Sequence, residues 1–116
     1  MSDRNERALL RLLRHIEHTL EYCDGKTYDD FTSDSMLQEA CVFNVMQVGE
    51  LAGRAFDEAF MEEHPELAWR EMRGLRNRIV HDYEGIRMQI IWETITVDFP
   101  PLAEKLRGII EKHPSV

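Results

Sequence analysis

Apolar residues recur at helical spacing along almost the whole chain, and no stretch shows sustained two-residue alternation. That pattern restricts the fold to packed helices. A helix buries a stripe spaced three and four apart, whereas a half-buried strand buries every second residue. Leu9, Leu12, Leu13, Ile16 and Leu20 predict a first helix from about Arg4 to Cys23, ended by Asp24-Gly25. Residues 25–34 read as a loop. Ser35-x-x-Gln38 has the form of a capping box. From there Leu37, Cys41, Val45, Val48, Ala52, Phe56 and Phe60 hold one stripe, which predicts a long second helix to about Glu63. Gly49 and Gly53, four apart, mark a close helix–helix crossing. His64-Pro65 breaks the pattern, and Pro65 opens the next element. Trp69, Met72, Leu75, Ile79 and Val80 define a third helix that Gly85 ends. Ile86, Ile90, Ile91 and Ile95 are β-branched, but they form a helical face and no partner strand exists, so helix is preferred. Pro100-Pro101 starts a last helix to about Lys112. The expected architecture is all-α, an up-and-down bundle of four to five helices in a single domain spanning 1–116.

Composition narrows the function classes. Hydrophobic residues make up 43% and charged residues 31% of the chain, as in soluble globular proteins. No apolar run is long enough to span a bilayer. The first residues, Met1 to Arg14, lack the apolar core of a secretory signal and are too acidic for a transit peptide, so a cytoplasmic location is expected. Cys23 and Cys41 are not in a Cys-x-x-Cys pair and read as reduced packing residues. The net charge of −8 argues against a general nucleic-acid coat. Its distribution is more informative. Residues 21–66 hold twelve acids against Lys26 and Arg54, while residues 67–87 hold Arg70, Arg73, Arg76, Arg78 and Arg87 against Glu71, Asp82 and Glu84. The cationic island coincides with the stretch Arg76-Asn77-Arg78-Ile79-Val80-His81-Asp82-Tyr83.

On a helical wheel at about 100° per residue, Arg76 and Tyr83 fall inside the apolar face of the third helix, and Arg73, Asn77 and His81 form a polar stripe beside it. Arg76 is either a side chain snorkelling at a helix edge or a guanidinium that needs an acid or a phosphate. Glu50, which interrupts a run of small and apolar residues, is its candidate acidic partner. A neutral histidine can take a proton from a ribose 2′-hydroxyl and its protonated form can return one to the leaving oxygen. An arginine can stabilise the added charge on phosphorus. These are the parts of a ribonuclease that needs no metal or cofactor. On a straight helix Arg76 and His81 point about 140° apart, so Arg76's length, unwinding near Asp82 or a second copy must close the gap. His15 and His18 are three apart without a third ligand at matching spacing, which favours no metal site. His64 and His113 lie beside prolines and read as surface caps. Trp69 and Trp92 read as core anchors.

Arg76-x4-His81-x-Tyr83, with Asn77 after the arginine, resembles the Arg-x4-His-x-Tyr motif of HepT-like proteins in the HEPN superfamily. The likeness extends through Trp69-x-x-Met72-Arg73-Gly74-Leu75 before it, through Asp82-Tyr83-Glu84-Gly85-Ile86, Ile91-Trp92 and Asp98-Phe99-Pro100 after it, and to Val48-Gly49-Glu50-Leu51-Ala52. The resemblance implies a HEPN-like bundle and a homodimer with both motifs facing a cleft. It implies the toxin of a HepT/MntA-type toxin–antitoxin pair, an RNA-cleaving enzyme. By position Arg76 and His81 would be catalytic and Asn77 supporting, with Arg73 on the same polar stripe. Tyr83 would be adenylylated by a MntA-like nucleotidyltransferase antitoxin. The competing reading is a non-catalytic helical module that docks such a nucleotidyltransferase.

Overall fold

The N-terminal helix shows how local residues set both of its ends. In the computed structural model, which describes residues 1–81 and 87–113 and only the backbone of Val80 and His81, α1 runs over Asp3–Cys23. Ser2 Oγ accepts the Asn5 N–H at 3.1 Å and so supplies one of the partners that a first turn lacks. At the other end Gly25 takes a φ of +72°, a conformation open to glycine, and the chain turns where Asp24-Gly25 predicts. The remaining described elements are α2 (Tyr28–Thr32), α3 (Ser35–Arg54), α4 (Glu58–Glu63), α5 (Trp69–His81), α6 (Met88–Glu93), a π-helical turn (Thr94–Asp98) and α7 (Phe99–Lys112). Among the described residues there is no strand, so the fold is all-α and the helical choice for 88–97 holds.

Side-chain pairs fix the directions. Cys23 meets Cys41, His15 meets Asn44 and Asn5 meets Asp57, so α3 descends beside α1. Gly49 lies against Arg76 and Gly53 against Arg73, so α5 rises along the other flank of α3. α7 packs on the far side of α1, where Arg107 pairs with Glu17 at 2.9 Å. The core lies mainly between α1, α3 and α7. Leu9, Leu12 and Ile16 from α1, Val45 and Val48 from α3, and Phe99 and Leu106 from α7 are wholly inaccessible. Each such side chain contributes about 1.5–3 kcal/mol by leaving water. Trp69 is buried with its indole N–H donating to the His64 carbonyl at 2.9 Å, and half-buried Trp92 packs on Phe31, so both tryptophans are anchors. His64 and His113 cap the C-termini of α4 and α7. Cys23 and Cys41 are buried and unbridged, 3.7 Å apart. Among the described residues no helix is long and apolar enough to cross a membrane.

Several boundaries differ from the sequence reading, each for a physical reason. The expected loop at 25–34 contains α2, because Thr27 and Asp30 cap each other's backbone in a capping box. Asp34, not Ser35, caps α3, accepting the Leu37 N–H at 3.1 Å. Gln38 instead donates to the Phe31 and Thr32 carbonyls at the end of α2. The long second helix stops at Arg54 and restarts as α4. Asp57 accepts the Phe60 N–H at 2.9 Å as the new N-cap, and exchanges two hydrogen bonds with buried Asn5. Arg4 donates to the Ala55 and Arg54 carbonyls at the break. Asn5→Ala leaves the Asp57 N–H without its acceptor and should cost about 1–3 kcal/mol, read as a lower urea midpoint with an unchanged slope. Pro65 opens a turn, and the helix itself begins at Trp69. The stop expected at Gly85 and the apolar position Ile86 lie outside the described residues. Pro100-Pro101 stand in the first turn of α7, as expected, and the π-helical turn runs into that helix without a break. A proline ring collides with the carbonyl four residues back. The preceding turn is widened, and the Phe99 N–H reaches back five residues to Thr94.

Candidate active site at the α3–α5 crossing

The crossing of α3 and α5 is set by one glycine. A Cβ built on Gly49 would lie 2.5 Å from the Arg76 backbone nitrogen and 2.6 Å from the Arg76 Cβ, so only glycine lets the two backbones approach this closely. Gly53, one turn on, is in ordinary contact, its nearest neighbour being the Arg73 Cγ at 3.8 Å. Of the paired glycines, Gly49 is therefore the one the crossing requires. Met72 and Ile79 fill the buried face of α5, and Arg76 lies at the edge of that face with its side chain 42% exposed.

The close approach delivers Arg76 to Glu50. Arg76 Nε donates to Glu50 Oε1, and Arg54 Nε donates to Glu50 Oε2 at 3.2 Å, so one carboxylate holds two guanidinium groups. The hydrogen bond from Arg76, then that from Arg54, holds the Glu50 carboxyl below the usual glutamate range. A carboxylate with a depressed pKa keeps its partners above its ordinary value and loses them as pH falls through the lowered one. The pair is thus fully formed at neutral pH and opens only in acid. Glu50 was legible as the partner from sequence. Arg54 was not assigned to the site, although Glu50 and Arg54 are four apart on one helix, the spacing of a helical ion pair.

Around this pair is a shallow cleft of about 220 Å³ lined by Gly49, Glu50, Gly53, Arg54, Arg73, Arg76 and Asn77. Three guanidinium groups against one carboxylate leave it cationic in a chain whose net charge is −8. Arginine presents a planar fork of donors that matches a phosphate edge, so the cleft has the chemistry to take a phosphate. The structure brings Arg73 and Asn77 of the polar stripe into one cleft with Arg76, which the wheel placed on the neighbouring apolar face. His81 is the last residue of α5, and its side chain lies outside the description. Tyr83 falls outside the described residues. The helix is continuous from Arg76 to His81, a rise of about 7.5 Å with the two residues about 140° apart around the axis. Among the described residues no three His, Cys, Asp or Glu side chains are grouped to hold a metal ion, and His15 and His18 lack a third ligand.

Comparison with known proteins gives a single answer. The family model described as "Ribonuclease HepT-like" matches residues 12–109. A candidate RNase of Caldanaerobacter subterraneus subsp. tengcongensis is 32% identical over 105 residues, covering 84% of this chain and 93% of that protein. A "Probable ribonuclease HepT" of Thermococcus cleftensis is 35% identical over 94 residues, covering 78% and 81%. A candidate RNase of Methanocaldococcus jannaschii is 30% identical over 107 residues, covering 91% and 97%. No solved structure matches. The match spans α1 to α7 and contains the α3–α5 crossing with every residue of the cleft, and so the chain belongs to the HepT-like ribonuclease family.

Proposed function

We propose that the chain is a metal-independent endoribonuclease and the toxin of a HepT/MntA-type toxin–antitoxin pair. Arg76 and His81 are its catalytic residues, with Asn77 and Arg73 supporting them. The observation that carries this is Arg76 itself, seated by Glu50 on a cationic cleft one helical segment before His81, in a chain of the HepT-like ribonuclease family.

The reaction follows from the groups. A neutral His81 takes the proton of a ribose 2′-hydroxyl, and the oxygen attacks the adjacent phosphorus. The P–O5′ bond breaks, and an imidazolium gives its proton to the departing 5′-oxygen. The products are a 2′,3′-cyclic phosphate and a 5′-hydroxyl. Arg76 stabilises the charge that builds on the non-bridging oxygens. The separation of Arg76 and His81 around one helix favours a homodimer, in which the arginine of one copy works beside the histidine of the other. Two copies also supply two imidazoles, one to take the proton and one to give it.

Tyr83, two residues beyond His81, is the acceptor for adenylylation by a nucleotidyltransferase antitoxin of MntA type. The phenolic oxygen attacks the α-phosphorus of ATP and pyrophosphate leaves. The added nucleotide brings negative charge and bulk beside His81 and blocks RNA from the cleft. The test is cleavage of RNA by purified protein in EDTA, followed by the same assay after co-expression with the antitoxin. Cleavage to cyclic phosphate ends, abolished together with the appearance of an added adenylate in the intact mass, is the expected result. RNA left intact at low salt across several RNA classes overturns the ribonuclease reading and leaves the docking module.

A further inference from the structure

We propose that α3 and the adjoining flank of α1 form a track for unpaired RNA, with a second subsite for bases in the groove between His15, His18, Tyr22 and Phe43. This inference deepens the ribonuclease reading and rests on it for the identity of the ligand.

The first observation is geometric. Met36, Ala40, Phe43, Gln47, Glu50 and Arg54 are spaced four, three, four, three and four, so they form one line along α3 on the side turned to solvent. The cationic cleft lies at one end of this line. At the other end is a second groove, about 580 Å³, whose lining includes His15, His18, Tyr22, Met36, Glu39 and Phe43. Phe43 and Glu50 are seven residues apart, about 10 Å along the helix, a span that a short run of nucleotides covers.

The second observation is the state of the rings. Phe43 is 52% exposed and Tyr22 39%, so neither is spent on the core. Yet the rings are organised. His18 stacks on Tyr22 with centroids 5.8 Å apart, and His15 stands edge-on to Phe43 at 6.3 Å. His15 Nδ1 is hydrogen-bonded to Asn44 Oδ1 at 2.8 Å, and buried Asn44 is itself fixed by donating to the Ala40 carbonyl. Pre-set, exposed ring faces are what an unstacked base needs, because every base offers a π-face and stacking tolerates any sequence.

The third observation is charge. On the α1 wheel, Arg4, Arg7, Arg11, Arg14, His15 and His18 fall within an arc of about 100°, and Asp3, Glu6, Glu17 and Glu21 occupy the arc of about 60° adjoining it. The contacts orient both flanks. Arg4 and His15 touch α3, whereas Glu17 reaches α7. The basic flank of α1 therefore borders the α3 line on one side, and Arg73 and Arg76 of α5 border it on the other. Among the described residues of this face the acids are Glu39 and Glu50, outnumbered by the arginines on either side. A polyanion is the complementary occupant. Aromatic faces between rows of cations select single strands over a duplex, which hides its bases.

The experiment is fluorescence polarisation of a short labelled single-stranded RNA on the full chain carrying His81→Ala, so that the RNA stays intact. The same sequence annealed to its complement is the control, and sedimentation runs in parallel. Phe43→Ala and His18→Ala should each weaken single-strand binding about tenfold and leave duplex binding unchanged. Arg11→Ala should lower the salt slope by about one. Equal binding by Phe43→Ala and its parent, preference for the duplex, or a Phe43-dependent change of oligomeric state each overturns the proposal. The two readings fail separately. Wild-type protein that binds RNA through Phe43 but never cleaves it removes the ribonuclease and keeps the track. Cleavage unaffected by Phe43→Ala in both binding and KM removes the track and keeps the ribonuclease.

Discussion

Arg76→Ala should lower the single-turnover rate of RNA cleavage by on the order of 10²–10³-fold, the usual loss when one donor aimed at developing charge is removed. His81→Ala should cost about 10²–10⁴-fold through loss of proton transfer. The two effects have different causes, and a conservative change separates them. Arg76→Lys keeps a positive charge but loses the planar fork that can hold Glu50 through Nε while presenting its terminal nitrogens to phosphate. It should therefore recover part of the rate only. The arginine side chain is 42% exposed, so its removal leaves the α3–α5 contact in place and the helical content unchanged. An Arg76→Ala variant that cleaves at the parent rate would sink the assignment of this residue.

The second large effect is expected at the crossing. Gly49→Ala places a methyl 2.5 Å from a backbone nitrogen of α5, which cannot rotate away as a side-chain tip could. Helix propensity favours alanine over glycine by about 1 kcal/mol. Forcing a methylene into a packed contact costs about 1–3 kcal/mol and sometimes more. Overlap with backbone lies at the severe end, so the clash wins. The urea midpoint should fall, and α5 should move outward, drawing Arg76 away from Glu50 and lowering cleavage with it. Gly53→Ala is the internal comparison. Its Cβ would meet only the Arg73 Cγ at 3.8 Å, so propensity decides and the variant should be neutral or more stable. Equal destabilisation at both glycines would contradict this account.

These positions show what a sequence can disclose and where it stops. Glu50 was readable as the partner of Arg76 because a carboxylate stands out in a run of small and apolar residues. Gly49 and Gly53 were readable as a crossing, but which of them is tight depends on how α5 lies across α3. The break after Arg54 was hidden, because the apolar stripe continues through Phe56 and Phe60 while the cause lies in Asn5 and Arg4, far away in the chain. The short α2 left a local signal, Thr27-x-x-Asp30, which the surrounding glycine and acids masked. The groove between His15, His18, Tyr22 and Phe43 was invisible from periodicity, because its residues come from two helices.

The widened turn at Thr94–Asp98 has a consequence for how the last helix divides its partners. One surplus residue in a helical path advances the phase of everything after it by about 100°. Upstream of the turn, α6 faces α2 and α3, with Ile91 buried and Trp92 against Phe31. Downstream, α7 packs on α1, with Leu102, Leu106 and Ile109 buried. A straight helix of constant phase has one buried side; this one has two, joined by the widened turn. The turn acts as a phase shifter. The length of the segment 94–98 is therefore constrained more tightly than its composition, since losing one residue would swing the whole apolar side of α7 off the bundle while leaving α6 seated.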